Sequence, residues 1–268
     1  MNVTIFGAGG RMGRTVTRLA HAAADVTIVG AVDHHGAATL GRDVGDVAGV
    51  GSVGVAVSED VSSALLGADV VIDFSTAAAF AGMLRAAAAA GVAVVSGTTQ
   101  LAASDHALMA KAGAKVALLW APNMSVAMQL MADLLQRAMV ALGAGYDLEL
   151  VEAHHRRKVD APSGSANLLL AAAQAVRPGL VAVHGRHGQP GARGPNEVGV
   201  HALRGGGVVG DHSAHLIGAF DRLEITHRAL NRDLFAQGAL RAARFVAAAG
   251  PGLYSLREVL AAAEPAAR

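Results

Sequence analysis

Residues 152 to 166 read Glu152-Ala153-His154-His155-Arg156-Arg157-Lys158-Val159-Asp160-Ala161-Pro162-Ser163-Gly164-Ser165-Ala166. Two histidines and three cations stand together in a chain otherwise rich in Ala, Gly and Val. Histidine gives and takes protons near neutral pH. Lys158, beside other cations, gives up a proton more readily. Ser163, Gly164 and Ser165 occupy a helix start, where N–H groups and hydroxyls can hold a carboxylate. Together they offer proton transfer and anion binding suited to a small, multiply charged acid. Adjacent histidines point in different directions, so no shared metal is expected.

A second constellation is Gly7-Ala8-Gly9-Gly10-Arg11-Met12-Gly13, between a strand-like run and a helical one. The strict dinucleotide spacing fails because residue 12 is Met, and Gly7, Gly10 and Gly13 recur every third position. Glycines there let a backbone approach a pyrophosphate, and a helix N-terminus favours its charge. Asp33 follows the second strand, roughly 20 residues on, where an acid bonds ribose hydroxyls. Its charge would repel a 2′-phosphate, and the next residues are His34 and His35 rather than Arg. This favours NADH and leaves NADPH tolerable. Gly97-Thr98-Thr99 and Ala121-Pro122-Asn123-Met124 both follow predicted parallel strands, where ligands of open α/β sheets lie.

These residues need elements to position them. Over the first 120 residues, β-branched runs alternate with Ala-rich helical patterns. Strands are predicted at Asn2 to Phe6, Val26 to Val32, Val53 to Val57, Val70 to Phe74, Val92 to Val95 and Lys115 to Trp120, with helices at Met12 to Ala24, after Ser58-Glu59-Asp60, and at Ala77 to Ala90. The alternation implies a parallel sheet with helices on both faces. Ser125 to Leu142 reads as a long helix, Leu148 to Ala153 as a strand and Gly164 to Val176 as a helix. Gly-punctuated strands then follow at Val198 to Leu203, Val208-Val209, His215 to Ile217 and Leu223 to Thr226, suiting a mixed or antiparallel sheet. The tail, Asp233 to Ala261, reads as helix that packs back on the first domain.

Of the 268 residues, 53% are hydrophobic and 16% charged, which excludes a disordered chain. A net charge of +1 is too balanced for a dedicated nucleic-acid binder, although basic residues cluster near 154–158 and 184–193. There is no Cys, which excludes disulfides, thiol catalysis and thiolate metal ligands and fits a reducing compartment. No signal peptide or membrane-spanning segment is expected, so the expected location is cytoplasmic.

With these parts in view, the full chain resembles the dihydrodipicolinate reductase (4-hydroxy-tetrahydrodipicolinate reductase) family of lysine and diaminopimelate biosynthesis. The resemblance rests on the 7–13 glycine loop, Gly97-Thr98-Thr99, Ala121 to Val126, Glu152 to Arg156, Lys158 to Gly164, and Leu223-Glu224-Ile225-Thr226-His227. It implies an α/β fold, with a Rossmann-like nucleotide domain over 1–125 and 234–268. An α+β domain over 126–233, carrying a mixed sheet, would bind substrate and build a homotetramer. It implies NADH or NADPH as cofactor, held by Gly7, Ala8, Gly9, Gly10, Arg11, Met12, Asp33, His34, Gly97, Thr98, Thr99, Ala121, Pro122, Asn123 and Met124. His154 would be the acid/base and Lys158 the proton donor, with His155, Ser163, Gly164 and Ser165 on a small dicarboxylate. Ser165 stands where the family usually has Thr, Gln100 where it usually has Gly, and His34 where some members have Arg. Two other readings stay open: a dehydrogenase of a semialdehyde or polyol, and a nucleotide sensor without turnover.

Overall fold

Val3 to Phe6 and Val70 to Asp73 are buried at every position, so both strands lie inside a sheet covered on two faces. The computed structural model describes residues 1–262. It divides into two units, Met1–Met124 with the chain from Arg232, and Ser125–Asn231. Residues 263–268, part of the tail expected in the nucleotide domain, lie outside the described residues.

The first unit runs β1 (Asn2–Phe6), α1 (Arg11–Ala22), β2 (Thr27–Val32), α2 (Val44–Ala48), β3 (Val57–Ser58), α3 (Val61–Ala64), β4 (Val70–Asp73), α4 (Ala77–Ala90), β5 (Ala93–Ser96), α5 (Ala103–Gly113) and β6 (Ala117–Trp120). The second holds α6 (Val126–Leu142), β7 (Asp147–His154), α7 (Gly164–Val176), β8 (Val181–Val183), β9 (Glu197–Arg204), β10 (Gly210–Ile217) and β11 (Arg222–Ala229). The chain then returns to the first unit as α8 (Asp233–Ala248), β12 (Gly252–Tyr254) and α9 (Leu256–Ala261).

The seven-stranded sheet has the order β12-β6-β5-β4-β1-β2-β3, all parallel. Strand order reverses between β1 and β4, which opens a crevice at their carboxyl ends. Phe80, Met83 and Leu84 of α4 and Met109 of α5 pack with Val71, Val94 and Leu118 of the sheet. Helix α8 packs on α1 and on β4, β5 and β6. The five-stranded sheet of the second unit has the order β11-β10-β7-β9-β8 and is mixed, since β10 runs antiparallel to β7 and β11 while β9 is parallel to β7 and β8. Leu148 and Leu150, Val198 and Val200, Ala214 and Leu216 alternate onto one face, which α6 and α7 cover with Met131, Leu135, Met139 and Leu169.

Several expectations need correction. Val53 to Val57 is not a strand. Both oxygens of Asp43 collect the N–H groups of Gly45, Val53, Gly54 and Val55 and the Ser52 hydroxyl, so this segment wraps a carboxylate and only Val57–Ser58 pairs with β2. Those bonds, led by Val53 N–H, hold the Asp43 carboxyl well below the usual carboxylate range. Helix α5 escapes notice because Ser104, Asp105, His106 and Lys111 blur its apolar period. Its start is tied by Asp105 accepting from Ala102 N–H at 2.8 Å. Val208-Val209 belongs to the connection before β10, which starts at Gly210. The tail is not one helix. Pro251 cannot continue α8, and Gly252–Tyr254 adds an edge strand to β6.

Gln100, next to Thr99, has φ +61°. A left-handed backbone costs a residue with a Cβ on the order of 1 kcal/mol, which explains why glycine suits this position. Gln100→Gly is expected to raise the unfolding free energy by about 1 kcal/mol, less the flexibility glycine adds to the unfolded chain. Urea denaturation of the two proteins measures it.

Candidate active site

In the first unit, β1 ends into the glycine loop at the β1/β4 crevice. A cleft of about 1130 Å³ opens there, and its walls include Gly7, Gly9, Gly10, Asp33, His34 and Thr76. The loop lacks room for side chains. A Cβ on Gly9 would lie 2.2 Å from Asp33 Oδ2, and one on Gly13 would lie 2.1 Å from Gly7 O. Gly7 itself has φ +79°. Asp33 holds this shape, accepting from Gly9 N–H at 3.0 Å and the Thr39 hydroxyl at 2.8 Å through Oδ2, and from His34 N–H at 2.9 Å through Oδ1. Helix α1 begins at Arg11, just beyond, and presents its N-terminus to this loop. A bare backbone cradle, a helix start and a carboxylate at the end of the second strand fit a dinucleotide.

The expected nucleotide residues do not all reach this cleft. Ala8 is fully buried. Arg11 and Met12 begin α1. Gly97-Thr98-Thr99 and Ala121 to Met124 follow β5 and β6 at the same carboxyl edge of the sheet but are not among the walls of the cleft. Their geometry is set by Asp73, a buried acid that sequence reading passed over. It accepts from the Ser96 hydroxyl at 2.6 Å, the Thr98 hydroxyl at 2.8 Å and Ser75 N–H at 2.9 Å. Trp120 Nε1 donates to Thr98 O at 2.8 Å, and Ala121 N–H donates to Ser96 O at 3.0 Å. Of the later pair, Met124 and Ala121 are buried and Pro122 is exposed.

In the second unit, β7 carries Glu152 and His154 on the helix-covered face, and both are buried. His154 Nδ1 lies 2.5 Å from Glu152 Oε2. An ionised carboxylate only accepts, so Nδ1 carries the hydrogen and Nε2 is left to act. Arg204, at the end of β9 and level with His154 in the parallel register, grips Glu152 with two bonds of 2.7 and 2.8 Å. Glu152 Oε1 also accepts Ser163 N–H at 3.1 Å. Ser163 caps α7, its hydroxyl accepting from Ala166 N–H at 3.1 Å, and it meets His212 Nε2 at 3.1 Å. Ser163 is therefore committed inside the protein, while Gly164 and Ser165 begin the helix. His212, on β10, sets its ring edge-on to His154 with centroids 5.2 Å apart. Lys158 Nζ rests 2.8 Å from each oxygen of Asp160, so the crowding expected from cations is met by a carboxylate. Arg156 and Arg157 lie exposed in the turn, and His155 Nδ1 is buried without a partner.

The sequence reading missed Arg204 and His212 as members of this group. Neither lies near 152–166 in the chain, and only the register of β9 and β10 on β7 brings them in. Burial would raise the Glu152 carboxyl, but the Arg204 guanidinium and His154 outweigh it and hold it below the usual range. Burial pushes His154 down, against the pull of Glu152, with Lys158 and Arg204 adding to the decrease. Burial pushes His212 down to about 4.

A Rossmann-like sheet with a glycine loop in one unit and a buried Glu152–His154 pair in the other define an oxidoreductase. Models for the N-terminal and C-terminal parts of dihydrodipicolinate reductase match residues 1–124 and 127–260. The chain belongs to the dihydrodipicolinate reductase family. It is 44% identical over 263 residues to the 4-hydroxy-tetrahydrodipicolinate reductase of Magnetococcus marinus, covering 97% of this chain and 98% of that one. It is 46% identical over 263 residues to that of Rubrobacter xylanophilus, with the same coverage. Among solved structures, a dipicolinate-bound dihydrodipicolinate reductase from Paenisporosarcina sp. TG-14 shares the fold, with a TM-score of 0.76 at 22% identity over 95% of this chain and 97% of that one. No helix among the described residues is long and apolar enough to cross a membrane.

His212 supplies a stability test. Its folded pKa lies below the unfolded value of about 6.5, so its contribution is complete above pH 6.5 and is lost as the pH falls toward 4. Taking the protein from pH 7.5 to 5 should cost about 2 kcal/mol through this group. Urea denaturation at both pH values should show a smaller loss for His212→Asn than for the parent.

Proposed function

We propose that this chain reduces 4-hydroxy-tetrahydrodipicolinate to tetrahydrodipicolinate in lysine and diaminopimelate biosynthesis, using NADH or NADPH. The observation that carries this reading is the buried Glu152–His154 bond beside the capped start of α7, which joins a proton-handling imidazole to an anion-binding helix end. On this reading residues 1–125 and 234–268 bind the dinucleotide, and 126–233 bind substrate and assemble the chain as a homotetramer of the cytoplasm. Loss of the 4-hydroxyl as water leaves a conjugated cyclic imine, and the reduced nicotinamide, when bound, would supply a hydride to its C4.

The chain's own residues do the rest. The N–H groups of Gly164 and Ser165 meet one substrate carboxylate, with the partial positive charge of the helix start. His155, Arg156 and Arg157 add donors and charge against the dianion. His154, holding its Nδ1 hydrogen toward Glu152, takes up a proton from solvent at Nε2 and passes it to the substrate, and Lys158 shares that donation after leaving Asp160. The dipicolinate held by the Paenisporosarcina enzyme, a planar dicarboxylate, supports a ligand of this class. In the cofactor cleft, the Asp33 carboxylate disfavours a 2′-phosphate, and its own bonds come from Gly9, Thr39 and His34 rather than from an arginine.

His154→Ala and Lys158→Ala are each expected to fold and bind NADH, yet lower kcat by about 10²- to 10⁴-fold, the usual worth of general acid catalysis. Near-native turnover in both would remove these roles. With enzymatically generated substrate, kcat/KM for NADH should equal or exceed that for NADPH, and a strong NADPH preference would overturn the reading of Asp33. Sedimentation equilibrium at micromolar concentration should give four times the 26.9 kDa chain mass.

A further inference from the structure

Arg204 never needs to touch a ligand to matter here, because its partners are Glu152 and the loop that carries Lys158. Its guanidinium holds both Glu152 oxygens and donates to Asp160 O at 2.7 Å. The neighbouring Gly205 N–H donates to His154 O at 3.0 Å, so β9 grips β7 at His154 through backbone as well. Across the site, Gly210 has no side chain, and a Cβ there would lie 3.0 Å from His154 Nε2. The imidazole is thus tied at Nδ1 and uncovered at Nε2.

We propose that Glu152 and Arg204 form a positioning pair that holds His154 in the Nδ1–H tautomer and sets how readily its ring takes a charge. This rests on the proton-handling role of His154 given above. A lone carboxylate against an imidazole favours imidazolium, by roughly one to three pKa units. Left unbalanced, Glu152 would keep His154 charged well above neutral pH, and a ring that holds its proton so firmly is a poor donor. Arg204 offsets that charge while leaving the hydrogen bond in place. The groups facing the ring act in both directions. From β7, Glu152 favours the charged form. From β9, Arg204 opposes it, and so does Lys158 from the loop, itself tempered by Asp160. From β10, His212 lies against the ring, with His227 opposite it on β11. From α7 comes the positive end of the helix behind Ser163. Only Glu152 and Arg204 are in the bidentate pair, so their removal should have opposite consequences.

The test is the pH dependence of kcat/KM in wild type, Glu152→Gln, Arg204→Met and Arg204→Lys, together with long-range ¹H–¹⁵N spectra of the histidine rings. Glu152→Gln should move the limb that reports His154 toward acid by about one pH unit. Arg204→Met should move it toward alkaline by about one unit, both from the effect of a near charge on a pKa. Arg204→Lys should return it most of the way. The spectra should show Nδ1–H in wild type and a mixture of tautomers in Glu152→Gln. Glu152→Gln keeps the side-chain shape and an acceptor for Ser163 N–H, so it carries the test alone if Arg204→Met does not fold. Shifts of the same sign in both variants, or an unmoved limb with an unchanged tautomer, would overturn the pair. Should His154→Gln retain the limb, the role of His154 in turnover fails instead, and the ring titration still reports whether Glu152 and Arg204 act on it.

Discussion

A carboxylate enclosed by protein must be matched by donors, or it takes a proton and ceases to be an anion. Glu152 is matched on every side, by the Arg204 fork, by Ser163 N–H and by the His154 ring. Each donor comes from a different piece of the second unit. Arg204 ends β9, Ser163 opens α7 and His154 ends β7. One acid therefore ties a strand pair, a helix start and the loop between them. Helix α7 cannot shift along the sheet without parting Ser163 N–H from Glu152, and the His154 ring cannot turn without losing its Nδ1 partner. The mixed sheet supplies the framework for this. Parallel pairing of β7 with β9 sets Arg204 beside His154, and antiparallel pairing with β10 sets His212 opposite Glu152.

The first unit works by a different constraint, the absence of side chains. At Gly9 and Gly13 a single Cβ would collide with Asp33 or with the Gly7 carbonyl. The loop can therefore close tightly over the end of β1 and turn into α1, with the N–H groups of Gly7 and Ala8 donating to Val32 O, that of Gly9 to Asp33 and that of Gly10 to Gly7 O. Asp33 and Asp73 act as hubs, each gathering backbone and hydroxyl donors. Asp33 shapes the glycine loop, and Asp73 anchors the Thr98 loop two strands away. Asp33 is thus part of the scaffold that shapes the cleft it lines.

Electrostatics in the second unit favours neutral imidazoles. Burial depresses His154, His212 and His227, and the nearby cations depress His154 further. The low dielectric that strengthens the Glu152–Arg204 pair also makes an extra charge on these rings costly. A neutral ring that can be charged transiently suits proton transfer beside an anionic ligand, where a permanent imidazolium would hold the ligand and keep its proton.

Much of this is legible in the sequence. The 7–13 loop had to be a strand–turn–helix, since glycines recur where a β-branched run meets an amphipathic helix. Gly164 to Val176 was readable as helix because Pro162 and Ser163 mark its start. His154 and Lys158 stand out because ionisable residues crowd together at 152–160 in a chain otherwise rich in Ala, Gly and Val. Other features had no local signal. Asp43 looked like one more loop acid, yet its bonds replace the strand expected at Val53 to Val57. The helical tail hid the edge strand Gly252–Tyr254, which exists only because β6 offers it a partner. Composition, period and spacing determined which residues are candidates for chemistry and most of the elements that hold them, because those are properties of neighbours along the chain. Tertiary structure alone decided that Arg204, fifty-two residues from Glu152, neutralises it, and that Ser163 faces inward to His212. A long-range ion pair is set by strand register, and register is settled only when the sheet buries its apolar face.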